Sequence, residues 1–91
     1  MDFNQINKKI TSNGYRRSGR RTEFDNDGNV CTIHDYECQK GYDMISVYAD
    51  ESDSVTAIEY TKVQLDRETR KFSQSVVKIG SMNELFKYIG A

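Results

Sequence analysis

The sequence predicts an α+β fold. An antiparallel four- to five-stranded meander sheet is flanked by a short N-terminal helix and a C-terminal helix (α-β-β-β-β-β-α), all in a single domain spanning residues 1–91. Three observations carry this expectation. Apolar residues recur at helical spacing only at the two ends of the chain, the middle is made of β-branched and aromatic runs, and short Asp-, Asn-, Gly- and Ser-rich segments with turn chemistry separate those runs. With 36% hydrophobic and 30% charged residues the core must be thin. Six tyrosines and four phenylalanines supply much of its area, since a tyrosine buries its ring while leaving its hydroxyl in water.

The first helix begins at Asp2-Phe3-Asn4-Gln5, an acidic cap followed three positions later by Gln, and Phe3, Ile6 and Ile10 form its single apolar stripe. Ser12-Asn13-Gly14 stops it. A hairpin follows, with arms at Tyr15–Phe24 and Val30–Glu37 around the turn Asp25-Asn26-Asp27-Gly28-Asn29, whose Gly and Asn suit positive φ. After a loop at Cys38–Gly41, Asp43–Ala49 alternates cleanly, with Ile45, Val47 and Ala49 on one face and Met44, Ser46 and Tyr48 on the other. That strand is expected inside the sheet. Beyond the polar connection Asp50-Glu51-Ser52-Asp53-Ser54, the run Val55–Leu65 carries apolar residues at both parities, Ile58 and Tyr60 against Val63 and Leu65. A bulge or burial on both sides would account for that. The turn Asp66–Arg70 leads to a last strand, Phe72–Ile79, and no proline interrupts any strand. Finally Ser81-Met82-Asn83-Glu84 matches a capping box, and Met82, Leu85, Phe86 and Ile89 mark one helical face before Gly90. Both helices are expected on one sheet face, leaving the other to water or a partner.

Composition bounds the function classes. No apolar run approaches the roughly 20 residues that cross a bilayer, and the first twelve residues lack the apolar stretch of a signal peptide. A cytoplasmic protein is expected, with no membrane partner and with Cys31 and Cys38 reduced. The formal charge of −1 hides a segregated distribution: residues 1–21 carry net +5, residues 22–66 net −9 and residues 67–91 net +3. Such fields steer association and select partners.

Motifs for chemistry are weak. Cys31, His34 and Cys38 are zinc-ligand types, but strand alternation sends Cys31 away from His34, and Cys38 lies too far along an extended chain. Asp25-Asn26-Asp27-Gly28 departs from a calcium loop, because aligning its glycine puts His34 where the bidentate Glu belongs. One histidine, no recognisable nucleophile and no glycine-rich phosphate loop leave no catalytic residue to name. No cofactor, no metal and no enzyme activity are expected.

Two signals remain. The acidic residues Asp25, Asp27, Asp35, Glu37, Asp50, Glu51 and Asp53, with Tyr36 and Tyr48 as exposed aromatic anchors, form a candidate partner-binding surface. The second is Tyr15-Arg16-Arg17-Ser18-Gly19-Arg20-Arg21, where Arg16, Arg17, Arg20 and Arg21 suit phosphate or an acidic partner and Tyr15 could stack on a base. The first signal predicts a non-catalytic protein-binding inhibitor or adaptor. In kind the chain resembles the anti-CRISPR and immunity proteins that phages and mobile elements direct at host defence or nucleic-acid-handling complexes. It matches them in length, α+β make-up and acidic surface, and the likeness carries no individual residues across. The alternatives are nucleic-acid or nucleotide binding through Arg16–Arg21 and a structural subunit of a homo-oligomer. A protein partner is thus expected first, with the chain itself a monomer or homodimer.

Overall fold

In the computed structural model, which describes residues 2–89, the chain forms α1 (Phe3–Ser12), β1 (Tyr15–Phe24), β2 (Val30–Cys38), β3 (Met44–Ala49), β4 (Val55–Asp66), β5 (Lys71–Ile79) and α2 (Met82–Ile89). The five strands pair antiparallel in the order β1-β2-β3-β4-β5, so every strand neighbours the next one in sequence. The predicted meander, with a helix at each end, is the observed fold. Gly90, expected just past the second helix, lies outside the described residues. Among the described residues no helix is long and apolar enough to cross a membrane.

Both helices cover one face. Phe3, Ile6 and Ile10 of α1 and Leu85 and Ile89 of α2 join Tyr36, Ile45, Val47, Val55, Ile58, Tyr60 and Ile79 in one buried cluster. The register explains why these residues converge. Cross-strand rows Arg17–Tyr36–Ile45–Tyr60–Val77 and Arg20–His34–Val47–Ile58–Ile79 run under the helices. The intervening rows, Arg16–Glu37–Met44–Thr61–Val76 and Gly19–Asp35–Ser46–Glu59–Lys78, lie on the open face. As the clean alternation predicts, β3 lies inside the sheet and buries Ile45, Val47 and Ala49.

Two bulges adjust the faces. Arg17 pairs with Tyr36 and Gly19 with Asp35, which leaves Ser18 as the extra residue in β1. In β4 the extra residue is Thr56, since Tyr48 pairs with Ala57 and Ala49 with Val55; this puts Val55 on the same face as Ile58. A bulge was expected somewhere in this strand, but it does not account for Val63 and Leu65. Beyond Thr61 the strand has outrun β3 and pairs with β5 alone, so Leu65 is exposed rather than doubly buried.

Aspartate sets the turns. Asp25 Oδ1 accepts from the backbone N–H of Asp27 (2.9 Å) and Asn29 (2.8 Å), Asp50 Oδ1 from Ser52 (2.9 Å) and Ser54 (3.0 Å), and Asp66 Oδ1 from Glu68 (2.9 Å) and Thr69 (3.4 Å). Asp2 caps α1 through Asn4 N–H at 2.7 Å. Of the Gly and Asn expected to take positive φ in the first hairpin turn, only Gly28 does, at 80°. At α2 the Ser81 hydroxyl accepts from Glu84 N–H (3.1 Å) as the capping box predicts, while the Glu84 carboxylate reaches back to Gly80 N–H (2.9 Å), one residue before the cap.

Candidate protein-binding surfaces

The antiparallel order decides which loops meet. The β1–β2 turn and the β3–β4 loop emerge at the same end of the sheet, bringing together Asp25, Asp27, Asp50, Glu51 and Asp53. The two loops flank one open groove, lined by Asp25, Asn29, Val30, Cys31, Asp50, Glu51, Ser52 and Thr56. It has an acidic rim and a small apolar floor at Val30 and Cys31. Neither loop contains a lysine or arginine, whereas the loops at the opposite end carry Lys40, Arg67 and Arg70 against Asp43 and Glu68. The loops at the two ends of the sheet thus differ in charge. The carboxylates of the two loops are not equivalent, and of the five Asp25, Asp50 and Glu51 line the groove. Asp25 and Asp50 clamp their own loops, and hydrogen bonds from Asn29, Asp27 and Gly28 N–H groups and the Asn29 amide hold the Asp25 carboxyl below its usual range. Asp53 has a positive φ of 59° and its carbonyl accepts from Phe3 N–H at 3.0 Å, seating this loop on the start of α1. Asp27 and Glu51 have exposed side chains that clamp nothing among the described residues.

Asp35 and Glu37 do not join that group. They lie within β2 on the open face, where Arg21 holds Asp35 by a fork of 3.1 and 3.3 Å, Ser46 Oγ donates to Asp35 at 2.8 Å, and Arg16 approaches Glu37 at 3.8 Å. Basic and acidic segments therefore neutralise one another there. Tyr48 lies half-buried on the same face, its hydroxyl pKa raised by burial and by Glu59. Tyr36, expected as an exposed anchor, is instead fully buried under α1: it has no solvent exposure and donates its hydroxyl to Asn7 Oδ1 at 2.6 Å. Even strand parity put it in the row that faces the helices, so it offers no ring to a partner.

The arginine segment is likewise divided. The Ser18 bulge leaves Arg17 and Arg20 on the helix side and Arg16 and Arg21 on the open side. Arg17 Nη2 donates to His34 Nδ1 at 2.7 Å and its guanidinium stands 5.9 Å from the Phe3 ring. His34 is itself buried and stacked on Phe3, with ring centroids 3.9 Å apart. Burial, then Arg17 and Arg20, push its pKa down, against smaller opposing effects of Asp53 and Asp35. Tyr15, proposed to stack on a base, is 6% exposed and hydrogen-bonded to Tyr60 Oη at 3.0 Å. Cys31 and His34 lie on opposite faces, as alternation requires, and both cysteines are free thiols. Among the described residues no three His, Cys, Asp or Glu side chains gather in a metal-binding group.

Three features escaped the sequence. Asp43 accepts from Tyr60 Oη (2.5 Å) and from Val63 N–H (3.0 Å), where its carboxylate replaces the ladder that β3 has ceased to supply. His34 packs on Phe3 and Arg17 across 31 and 17 positions of sequence. An exposed apolar strip runs over the β4–β5 arm: Leu65 pairs with Phe72 across the strands, Val76 lies further along β5, and Tyr42 meets Phe72 edge-on at 5.2 Å. Only the last had a signal, the uncharged run Phe72-Ser73-Gln74-Ser75-Val76-Val77 in the final strand of a meander. Comparison with protein-family models, curated proteins and solved structures returns no match.

Proposed function

We propose that the protein is a non-catalytic binding module, an inhibitor or adaptor that docks its acidic end on a basic surface of a partner protein. The observation that carries this is the groove between the β1–β2 and β3–β4 loops, with five carboxylates in the two loops and no cation in either. Val30 and Cys31 supply the apolar floor that a desolvated contact needs, and the charged rim supplies steering and orientation. The partner class that fits is a protein with a basic nucleic-acid groove, where carboxylates would stand in for phosphates; a host defence or nucleic-acid-handling complex is of this kind. Asp27 and Glu51 are the contact residues, because their side chains are not occupied in holding the loops.

The arginine reading has less support, since the four guanidinium groups lie on two faces and three of them engage Glu37, His34, or Asp35 and Glu23. The experiment is affinity capture from lysate with the wild-type chain and with the double variant Asp27→Lys/Glu51→Lys, followed by a salt titration of any complex. A stoichiometric protein that binds the wild type at least tenfold more tightly, with affinity falling as salt rises, supports the reading. A partner bound equally by both chains, or none at all, refutes it.

A further inference from the structure

The two edges of the sheet are built differently. The outer edge of β1 carries four arginines, a glycine and a bulge, which are the features that keep an edge strand from pairing with another chain. The outer edge of β5 has none of these. Between Lys71 and Lys78 its residues are Phe72-Ser73-Gln74-Ser75-Val76-Val77, six in succession without charge, proline or glycine. Among the described residues no strand covers them. On the open face Phe72 and Val76 are 54% and 59% exposed.

We propose that β5 pairs with β5 of a second copy, antiparallel about a two-fold axis through Gln74, joining two five-stranded sheets into one. Antiparallel pairing requires residues of like parity to face each other, so the axis must pass through a residue and not between two. With the axis at Gln74, Phe72 of each copy meets Val76 of the other, twice, on the open face. Ser73 meets Ser75, and Lys71 meets Val77. Only Arg70 and Lys78, at the flanks, oppose like charges. With the axis at Ser75 instead, Phe72 would meet Lys78 and Val76 would meet Gln74, and the apolar match would be lost. The Gln74 register also extends the Leu65–Phe72 strip onto Val76 of the second copy. A six-residue strand pair sits at the small end of specific interfaces, below about 1,200 Å². A contact of that size belongs with weak, transient associations. The acidic groove lies between loops of β1 to β4 and remains open in such a dimer.

The test is sedimentation equilibrium from low to several hundred micromolar protein, with circular dichroism to confirm that each variant folds. The wild type is expected to move from monomer to dimer across that range. Val76→Lys, at an exposed position, should weaken the dimer by roughly tenfold or more, because a lysine then faces Phe72 at both ends of the contact. Register is read by mild oxidation in a Cys31→Ser/Cys38→Ser background: Gln74→Cys crosslinks to itself faster than Ser75→Cys. A monomer at every concentration overturns the proposal, as does a dimer indifferent to Val76→Lys or a crosslink that favours Ser75→Cys.

Discussion

Asp43 is the residue whose removal tests the architecture most directly. Its carboxylate takes two donors, the buried Tyr60 hydroxyl at 2.5 Å and the Val63 amide at 3.0 Å, at the point where β3 ends and β4 continues. A hydrogen bond to a charged group contributes about 1.5–3 kcal/mol net. In Asp43→Ala the Tyr60 hydroxyl keeps Tyr15 Oη at 3.0 Å and so is not orphaned, and the half-exposed Val63 amide recovers water. The expected loss is therefore about 2–3 kcal/mol, below the ~3–6 kcal/mol of two full bonds. Against the roughly 5–14 kcal/mol that a chain of this length commands, that is a large fraction. It should lower Tm by roughly 10–20 °C. Asp43→Asn keeps a neutral acceptor and should lose about half as much. Urea unfolding followed by far-ultraviolet circular dichroism measures both, and a double-mutant cycle with Tyr60→Phe should give a coupling of about 1–2 kcal/mol. If Asp43→Ala costs less than about 0.5 kcal/mol, or the cycle is additive, the carboxylate does not terminate the ladder in the way argued.

Three further outcomes follow from the same structure. Burial raises the pKa of Tyr15, lifts Tyr36 to about 12 and, with Asp43 and Tyr15 as hydrogen-bond partners, raises Tyr60 further. Folded values above the unfolded value of about 10 mean that this stability is intact below pH ~10 and is lost as pH rises through the folded values. Tyrosinate absorbance from these three rings should accordingly appear together with loss of circular dichroism; their ionisation in a chain that stays folded would contradict it. For His34 the shift is downward, so its contribution is present above the unfolded pKa of about 6.5 and is lost as pH falls through the folded value. The urea midpoint of wild type should fall between pH 7 and pH 5 more than that of His34→Gln does. In the β3–β4 loop, Asp50→Ala should cost about 1 kcal/mol through the Ser52 and Ser54 amides, whereas Glu51→Lys should stay within ~0.5 kcal/mol in the same urea assay.

The elements were legible because each carries its own local signal. Phe3, Ile6 and Ile10 mark a helix by spacing alone, Asp25 to Asn29 mark a turn by residue type, and Ile45, Val47 and Ala49 declare an inner strand by alternation. What stayed hidden depends on where strands end relative to one another. Nothing near Asp43 says that β4 outruns β3 at Thr61, so its role as a substitute for the missing ladder could not be seen. The burial of Tyr36 is hidden for a related reason. Its neighbours Asp35 and Glu37 are polar, and a tyrosine between two acidic residues suggests an exposed ring until the register assigns it to the row beneath α1. The acidic cluster fell between these cases: the composition of its two loops was plain, and only the strand order showed that they flank one groove.

The charges of this chain separate into those that build the fold and those left over, and the geometry shows the division. Asp2, Asp25, Asp50 and Asp66 each close a helix start or a turn through backbone amides. Arg21 and Asp35 hold neighbouring strands on the open face, and Arg17 lies over His34 and Phe3. The arginines of β1 serve a second purpose, since a strand that presents alternating guanidinium groups and a bulge makes a poor template for another strand. At the far edge, β5 keeps only Lys71 and Lys78, one at each end of an uncharged segment. Had both edges needed protection from association, charge would be expected within both. The asymmetry is explained if pairing at β1 is excluded and pairing at β5 is used, so that the second copy can approach from one side only and the assembly stops at two.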